Sequence, residues 1–436
     1  MDTLKLNSTG PTVELLQSTL KDIGYYIYAI DGIFAYRTQA AVIKFQKDNN
    51  LTPDGIVGEK TWNRLMPYIN GYITYTIKNN DTFFNLAEKY NTTINALIFA
   101  NPGIDYNNLS IDDKIIIPIG SIVQTNISYT SEILDLNLSS LQKIYPFLEF
   151  QIIGRTVLGK PITSIKFGTG KNEVFYNAAI HGNEWITSPL LMKFLENLCK
   201  SYVNKTPIFD TNPEELYNNI SLYIVPMINL DGTDLVTELL TSGTYGYENA
   251  KRISFNFPDI PFPSGFKANI EGTDLNLQFP AEWEKAKEIK YEQGFTMPAP
   301  RDFVGFGPLT APEAVAIYSF ILKHNFSLMI TYHTQGRVIF YEFQGNEPTE
   351  SKEIANIFSQ TSGYTPESTP YNSSFAGLKD WFILYYKKPG FTIEAGIGNN
   401  PLPISQFDSI YRDNLGILIN GMLQSYVNRD IILTTL

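Results

Sequence analysis

Residues 174–203 read VFYNAAIHGNEWITSPLLMKFLENLCKSYV and contain one complete strand–turn–helix pattern. The run VFYNAAI is short and apolar, as buried strands are, and LLMKFLENLCKSYV carries apolar side chains at helical spacing. The polar turn His181-Gly182-Asn183-Glu184 separates the two. A strand that leads through a short turn into a helix is the repeating unit of α/β proteins, so this stretch predicts an α/β domain.

The same alternation continues towards the end of the chain. The strand-like runs LYIVPMIN, SLMITY and FTIEAG follow in that order, and EAVAIYSFILKHN has helical spacing. This order predicts a mixed, mostly parallel sheet flanked by helices. We assign the α/β domain to residues 121–436. Residues 119–130 show no clear helical period, and we interpret them as a connector.

Residues 1–69 follow a different pattern, which predicts a small helical domain. TVELLQSTLKDIGYY and YRTQAAVIKFQKDNN each place apolar residues on one helical face. Asp31-Gly32 and Asp54-Gly55 lie close to these helices. Because glycine tolerates positive φ, both pairs predict tight turns.

Residues 70–120 predict a small βααβ domain. YITYTIKN and DKIIIPIG read as its two strands, and TFFNLAEKYN and TINALIFANP read as two short helices between them. Thr82 and Thr93 are placed to cap these helices, because a threonine hydroxyl accepts a hydrogen bond from an amide of the first turn.

The composition is that of a folded, soluble protein, with 43% hydrophobic and 18% charged residues among 436. The net charge of −11 argues against nucleic acid as a partner, since nucleic-acid-binding proteins present basic surfaces. The single cysteine, Cys199, excludes an intrachain disulfide. No apolar run is long enough for a membrane span. The N-terminus lacks the pattern of a secretory signal, so we expect synthesis in the cytoplasm.

His181 and Glu184 form an H-x-x-E pattern after the first strand-like run. Ligands of open α/β sheets bind at the carboxyl ends of strands, and histidine and glutamate are zinc ligands. Zinc needs a third protein ligand, and the chain has three histidines. His333 ends the run SLMITY, whereas His324 ends a helix, where an imidazole suits the helix dipole. The predicted Zn²⁺ ligands are therefore His181, Glu184 and His333.

A third strand-like run, FTIE, ends at Glu394. A carboxylate beside a catalytic metal can act first as a general base and then as a general acid. Glu394 is therefore the predicted catalytic residue.

Together, these motifs resemble the zinc carboxypeptidase family from about residue 131 onward. H-x-x-E is similar to the family's first ligand pair, YHTQG to the segment with its third ligand, and FTIE to the strand with its catalytic glutamate. PMINLDG and DLNLQFP match two further blocks of the family. The resemblance implies the carboxypeptidase fold and the same zinc ligands and acid–base residue. It also implies that Asp274 orients His181 and that Lys267 stabilises the oxyanion.

One block departs from the digestive carboxypeptidases. In those enzymes an arginine follows the asparagine of D-x-N-R and grips the substrate's C-terminal carboxylate, and here Leu277 follows Asn276. Leucine cannot form the paired hydrogen bonds of a guanidinium. The stretches FKANIEGTDLNLQFPAEWEKAK, MPAPRDFVGFGPLTAPEA and GLKDWF are closer to the bacterial γ-D-glutamyl-diamino acid endopeptidases. This resemblance implies cleavage of peptidoglycan stem peptides after D-glutamate, and diaminopimelate and lysine both fit as the diamino acid.

Three residues are candidate substrate ligands. Asn276 is able to bond a polar group of the substrate. Lys379 occupies the position of the family's specificity residue and is suited to bind a free carboxylate of the stem. The alternative is that Lys379 is an exposed loop lysine without a role in binding. Tyr371 is the candidate for the family's mobile tyrosine, with an unrelated surface tyrosine as the alternative.

The two N-terminal domains carry their own resemblances. Residues 1–68 closely resemble a peptidoglycan-binding domain, because DG, FQ, a second DG-x-x-G and TW recur in order. Residues 72–118 resemble a LysM module, which binds glycans containing N-acetylglucosamine. The implied partner is peptidoglycan, with its glycan at these modules and its stem peptide in the active site. The implied place of action is the bacterial cell wall or spore wall.

Two other functions stay open at this point. A zinc carboxypeptidase could act on ordinary peptide C-termini, although Leu277 and the wall-binding modules argue against it. A non-catalytic wall-binding protein could retain the peptidase domain as a scaffold. The complete set of His181, Glu184, His333 and Glu394 argues against that second alternative.

Overall fold

The computed structural model describes residues 1–434, with side chains described up to residue 426. Contacts between residues divide the chain into two units. The first contains Met1–Phe147 together with Cys199–Asn204, and the second contains Leu148–Leu198 and the residues from Lys205 onward.

The first unit contains both predicted N-terminal domains and one further helix. Its elements are α1 (Pro11–Asp22), α2 (Tyr36–Asp48), α3 (Glu59–Asn70), β1 (Tyr72–Thr76), α4 (Phe83–Lys89), α5 (Ile94–Ala100), β2 (Lys114–Pro118) and α6 (Ser131–Ile144). Helix α6 contacts α3, α5 and β2. It lies within the range that we predict for the α/β domain, and its contacts in this unit are with the smaller domains.

Two buried glutamines hold the Asp-Gly turns of the helical domain in the same way. Gln17 donates to Asp31 Oδ1 at 2.8 Å and accepts from the amide of Gly32 at 3.0 Å. Gln46 donates to Asp54 Oδ1 and accepts from the amide of Gly55, each at 2.9 Å. A buried amide with its donors and acceptors satisfied fixes a turn that backbone hydrogen bonds alone would leave loose.

The βααβ domain has the predicted element order. Strands β1 and β2 pair antiparallel from Tyr72–Pro118 to Thr76–Lys114. Thr82 accepts from Asn85 N at the start of α4, and Thr93 accepts from Ala96 N at the start of α5. Both predicted caps are confirmed. The two helices and β2 enclose a small apolar core.

The second unit is the α/β domain. Its strands are β3 (Glu149–Arg155), β4 (Pro161–Phe167), β5 (Asn172–Asn177), β6 (Ile220–Val225), β7 (Leu328–His333), β8 (Val338–Phe340), β9 (Thr365–Glu367) and β10 (Gly390–Glu394). Its helices are α7 (Thr187–Asn204), α8 (Pro213–Asn219), α9 (Leu230–Val236), α10 (Tyr245–Ser254), α11 (Trp283–Glu292), α12 (Pro312–Ile321), α13 (Glu350–Ser362), α14 (Leu378–Tyr386) and α15 (Phe407–Thr434). The last six residues of α7, Cys199–Asn204, are counted with the first unit.

The eight strands form one sheet in the order β3-β4-β6-β5-β7-β10-β8-β9. Its centre, β6-β5-β7-β10, is parallel, while the pairs β3·β4, β4·β6 and β10·β8 are antiparallel. Helix α15 packs against β5 and β7, and α14 packs against β7 and β10. The predicted mixed, mostly parallel sheet flanked by helices is confirmed. Among the described residues, no helix is both long and apolar enough to cross a membrane.

Candidate active site

The central parallel strands bring three of the predicted residues to one edge of the sheet. Strand β7 ends at His333 and β10 ends at Glu394, and these two residues are direct neighbours in the register. Strand β5, on the other side of β7, ends at Asn177 and leads into the turn that carries His181. The carboxyl ends of parallel strands share one edge, which is why residues far apart in sequence meet here.

The turn from His181 to Glu184 is fixed by hydrogen bonds from both sides. The Thr187 hydroxyl donates to Glu184 O at 2.7 Å and accepts from Ala179 N at 3.0 Å. The amide of Gly182 donates to Lys267 O at 3.0 Å. These contacts hold the turn before any metal is bound.

Gly182 allows this turn to approach α9. A Cβ atom built on Gly182 would lie 2.6 Å from the carbonyl carbon of Gly232 and 2.7 Å from its oxygen. Carbon atoms in contact normally lie 3.5–4.0 Å apart. Only a residue without a side chain fits between the two ligand residues at this position.

The three predicted metal ligands converge on one point. His181 Nδ1 lies 3.0 Å and His333 Nδ1 2.9 Å from Glu184 Oε2, and the two nitrogens are 3.2 Å apart. All three side chains are buried. The third histidine, His324, lies elsewhere, with its Nδ1 2.9 Å from Glu173 Oε1.

The donor set fits a zinc ion. His181 Nε2 lies 3.1 Å from Asp274 Oδ1. His181 and Lys267 hold the pKa of Asp274 well below its usual range in spite of burial, so this carboxylate is an acceptor. Nε2 then carries the hydrogen, and Nδ1 presents a lone pair towards Glu184 Oε2 and His333 Nδ1. Three converging lone pairs of nitrogen and oxygen need a cation, and His₂Glu is a known catalytic zinc set.

Lys267 lies beside this ligand set. Its Nζ is 3.1 Å from Glu184 Oε1, the carboxylate oxygen that faces away from the histidines. Burial lowers the pKa of Lys267, but Glu184 and Asp274 outweigh this effect and raise it. The ammonium group therefore stays charged, and it fixes which oxygen of Glu184 points to the metal position.

Glu394 has the opposite electrostatic environment. Burial raises the pKa of Glu394, and the nearby Glu184 raises it further, to about 8, although Lys267 and His181 oppose the shift. A carboxyl group whose pKa is raised towards neutrality is suited to proton transfer.

His181, His333 and Glu394 line a cleft with a volume of about 670 Å³. The other charged residues that line it are Asp259, Lys267, Asp274, Lys290, Arg301, Asp302, Lys379 and Asp380. A cleft of this size with convergent polar groups is typical of a substrate site.

The sequence profile of the family described as zinc carboxypeptidase matches residues 137–416. The chain is a member of the zinc carboxypeptidase family. Profiles of a putative peptidoglycan-binding domain and of a LysM domain match residues 9–65 and 75–118.

Individual relatives agree with this assignment. The chain is 43% identical over 301 residues to γ-D-glutamyl-L-diamino acid endopeptidase 1 of Lysinibacillus sphaericus, which covers 69% of this chain and 73% of that protein. It is 38% identical over 292 residues to the protein YqgT of Bacillus subtilis, with 66% and 76% covered. Among solved structures, thrombin-activatable fibrinolysis inhibitor has the same fold at 18% identity, with a TM-score of 0.54 over 70% of this chain and 76% of that one.

Leu277, which stands where the family's carboxypeptidases have an arginine, lines the cleft and is 8% exposed. Its neighbour Asn276 also lines the cleft, and Asn276 Oδ1 accepts from Leu378 N at 3.0 Å. The Nδ2 amino group of Asn276 is therefore the part of the amide that is left to donate to a ligand. Residues 274–300 contain no arginine that could take the place of Leu277.

The two other candidate substrate ligands are placed differently. Lys379 is on the cleft wall, but its Nζ contacts Glu342 O at 2.6 Å, Asp380 Oδ1 at 2.8 Å and Thr369 Oγ1 at 3.2 Å. Tyr371 is 62% exposed, and its ring packs edge-on against Phe375.

Residues around Tyr371 do line the cleft. Thr369, Pro370 and Ser373 face it from the same segment, which runs through a short 3₁₀ helix at Tyr371–Ser373. The structure therefore brings the segment of Tyr371 to the cleft, while the tyrosine side chain lies on the surface.

Sequence reasoning missed several residues of the cleft. Asn400 donates to Thr334 O at 2.8 Å and lies 3.4 Å from Glu184 Oε1. Arg301, Asp302 and Lys290 form an ion cluster on another wall. Asn400, Arg301 and Asp302 lie on loops, and Lys290 lies on α11, outside the motifs of the sequence analysis. The sequence signal for this cluster was the stretch MPAPRDFVGFGPLTAPEA, which contains Arg301 and Asp302.

Proposed function

We propose that this protein is a zinc peptidase that hydrolyses the γ-D-glutamyl–diamino acid bond of peptidoglycan stem peptides. The observation that carries the proposal is Leu277 on the cleft wall, in place of the arginine that clamps a C-terminal carboxylate. An α-carboxylate buried beside leucine would lose its hydration without a charged partner, at a cost of about 1–3 kcal/mol. The site therefore disfavours ordinary C-terminal residues.

Two findings support the choice of substrate. The relative from Lysinibacillus sphaericus is named for this reaction and is 43% identical over 301 residues, 69% of this chain. The chain also carries matches to a peptidoglycan-binding and a LysM domain. We propose functional domains at 1–69, 70–120 and 121–436, with glycan bound by the first two and the stem peptide by the third.

In the proposed reaction, zinc would be held by His181, Glu184 and His333. A bound zinc ion supplies a Lewis acid that polarises the scissile carbonyl and lowers the pKa of water. Asp274 keeps His181 in the tautomer that presents Nδ1. Lys267 holds Oε1 of Glu184, which would leave Oε2 to bind the zinc ion.

Glu394 moves the proton. Its carboxylate takes a proton from the water whose oxygen attacks the carbonyl carbon, and it then passes that proton to the nitrogen of the diamino acid as the C–N bond breaks. The Lys267 ammonium group is placed to stabilise the negative charge that develops on the carbonyl oxygen. The products are a free γ-carboxylate of D-glutamate and a free amine.

We assign substrate contacts to Asn276, Lys379 and Tyr371 with different roles. Asn276 offers an amide donor to the diamino acid. The charge of Lys379 acts on the stem's free carboxylates from the cleft wall, and Tyr371 covers the bound stem when its segment closes. The place of action is the bacterial cell wall or spore wall.

The test compares two substrate classes with the same enzyme preparation. L-Ala-γ-D-Glu-diaminopimelate stems should be cleaved, with the dipeptide released as seen by mass spectrometry. Hippuryl-type carboxypeptidase substrates should be turned over far more slowly. A preparation of Glu394→Gln controls for contaminating peptidases. Comparable turnover of both classes, or cleavage of the hippuryl substrates alone, would show that the protein is an ordinary carboxypeptidase.

A further inference from the structure

Four basic side chains line the described part of the cleft, and three of them direct their ammonium groups to oxygen atoms of the protein. Lys267 contacts the carboxylate of the metal site, Lys290 Nζ lies 2.6 Å from Asp302 Oδ1, and Lys379 contacts three oxygens. Arg301 differs, because its described contact uses Nε alone, 2.5 Å from Asp302 Oδ2. Its side chain is 46% exposed. The two terminal nitrogens of its guanidinium are thus available to a ligand.

The backbone on both sides of Arg301 is fixed next to the catalytic residues. Pro300 O accepts from Lys267 N at 2.8 Å, and Asp302 N donates to Asp274 Oδ2 at 3.1 Å. Arg301 therefore lies between the residue proposed to face the oxyanion and the residue that orients a metal ligand. A side chain on such a segment is preorganised for binding.

The charge of the cluster suits a single carboxylate. Lys290 and Arg301 are cations and Asp302 is an anion, so the three groups together carry one positive charge. Lys290 satisfies one oxygen of Asp302, and the other oxygen orients the guanidinium of Arg301. A guanidinium held in this way presents a planar pair of N–H donors, the arrangement that binds a carboxylate with two parallel hydrogen bonds.

We propose that Arg301 binds the free α-carboxylate of the γ-linked D-glutamyl residue, on the acyl side of the bond that is cut. This inference rests on the proposed function. A γ-linkage leaves the α-carboxylate free, separated from the scissile carbonyl carbon by Cα, Cβ and Cγ of the same residue. Arg301 is adjacent to Lys267, which is assigned to that carbonyl oxygen. The site thus recognises a carboxylate at a different position from the one that an arginine at residue 277 would clamp.

The test uses two stem peptides that differ in one group. One is L-Ala-γ-D-Glu-diaminopimelate, and the other has the D-glutamyl α-carboxylate replaced by a carboxamide. The full-length zinc enzyme should prefer the acid. Arg301→Gln should lower kcat/KM on the acid by about 10- to 100-fold and change kcat/KM on the amide little, so that the preference disappears. Lys290 remains as a partner for Asp302 in this variant, so we expect unchanged zinc content and thermal stability.

Arg155→Gln is the matched control, because Arg155 is exposed on β3, bonds to Gly159 O and is not part of the cleft. It removes the same charge and should leave the preference intact. Equal losses on both substrates, or no loss on the acid, would overturn the assignment of Arg301. The assignment would also be overturned if Arg301→Gln removed a preference for free over amidated carboxylates of diaminopimelate, because Arg301 would then bind on the leaving-group side of the scissile bond. If the unmodified enzyme cleaves neither stem, the proposed function itself fails.

Discussion

At the scale of single residues, the groups around the metal position divide into those that hold a charge and one that moves a proton. Asp274 and Lys267 have fixed charges, since Asp274 is bonded to His181 and lies near the Lys267 cation, and Lys267 is paired with Glu184. Glu394 is buried and lies near Glu184, so its proton is held more tightly and its pKa is raised to about 8. This contrast supports the acid–base role that we propose for Glu394.

Replacing Glu394 with glutamine should separate proton transfer from metal binding. Glutamine keeps the size of the side chain but cannot accept the proton of water, so turnover of stem peptides should fall at least ~10²-fold. Zinc content should stay at one per chain, because Glu394 is outside the ligand triad. Glu367→Gln, at the exposed end of β9, serves as the control. Unchanged turnover in Glu394→Gln would assign the base elsewhere.

Glu313 is another buried carboxyl group with a raised pKa, and it does not line the cleft. Its oxygens accept from Val157 N at 3.0 Å and from Asn269 Nδ2 at 3.1 Å. Burial raises the pKa of Glu313 to about 7, and these hydrogen bonds only partly oppose the shift. In the unfolded chain the pKa is the ordinary 4.5. Between these two values the folded protein retains a proton that the unfolded chain releases.

The contribution of Glu313 to stability should therefore decrease as pH rises. The contribution of Glu313 to the free energy of unfolding is fully present below about pH 4.5 and is lost as the pH rises through 7. The total loss is up to about 3 kcal/mol. Glu313→Gln cannot titrate, so the free energy of unfolding of the native protein, relative to this variant, should fall between about pH 5 and pH 8. Urea denaturation at a series of pH values measures the difference. Parallel curves for the two proteins would contradict a raised pKa.

At the scale of elements, the site depends on how closely the turn after β5 approaches α9. Gly182 and Gly232 meet backbone to backbone, and the amide of Gly182 also reaches Lys267 O. The turn carries two of the three proposed metal ligands. A small displacement of this turn would move both ligands relative to His333 on β7.

Gly182→Ala should reduce both zinc affinity and stability. The added methyl group would meet the carbonyl group of Gly232, and overpacking of this kind costs about 1–3 kcal/mol. Gly307→Ala is a matched control, because a Cβ there would lie 3.5 Å from Thr310 Cγ2, an ordinary contact. Zinc stoichiometry and thermal unfolding measure the two effects. A Gly182→Ala protein with the zinc content and melting temperature of the control would show that the turn can move without consequence.

The element scale also shows what the sequence could predict. Apolar runs mark strands, and parallel strands share an edge, so His333 and Glu394 could be placed together from periodicity and order alone. Loops have no such period. Arg301 reaches the cleft because the loop around it bonds to Lys267 and Asp274, contacts between segments that no local pattern encodes. Lys379 illustrates the same limit, since the three oxygens around its ammonium group come from the tertiary fold.

At the scale of the whole molecule, all of the proposed catalytic and metal-binding residues belong to the second unit. The matches to the peptidoglycan-binding and LysM domains belong to the first unit. In the proposed function, recognition of wall glycan and cleavage of the stem therefore belong to separate parts of the chain. Helix α6 belongs by its contacts to the first unit, although it follows the predicted domain limit at residue 120.

Deleting residues 1–120 should abolish retention on insoluble peptidoglycan and preserve cleavage of soluble stem peptides. The catalytic unit keeps its sheet and its cleft in such a protein. The deletion also removes α3, α5 and β2, the elements that α6 contacts, so we expect lower solubility than for a deletion of residues 1–147. Sedimentation with purified wall and turnover of a soluble stem measure the two properties. Loss of turnover on the soluble stem in both deletions would show that the first unit shapes the active site.

The spread of the catalytic groups along the chain has a consequence for biosynthesis. His181 and His333 are 152 positions apart, and the strand that ends at Glu394 pairs directly with the one that ends at His333. A ribosome must therefore release residue 394 before the proteolytic centre can assemble. The segments that match the peptidoglycan-binding and LysM profiles emerge much earlier. A prematurely terminated chain could therefore contain both of these segments and still lack a complete hydrolytic site, which would be assembled only near the end of translation.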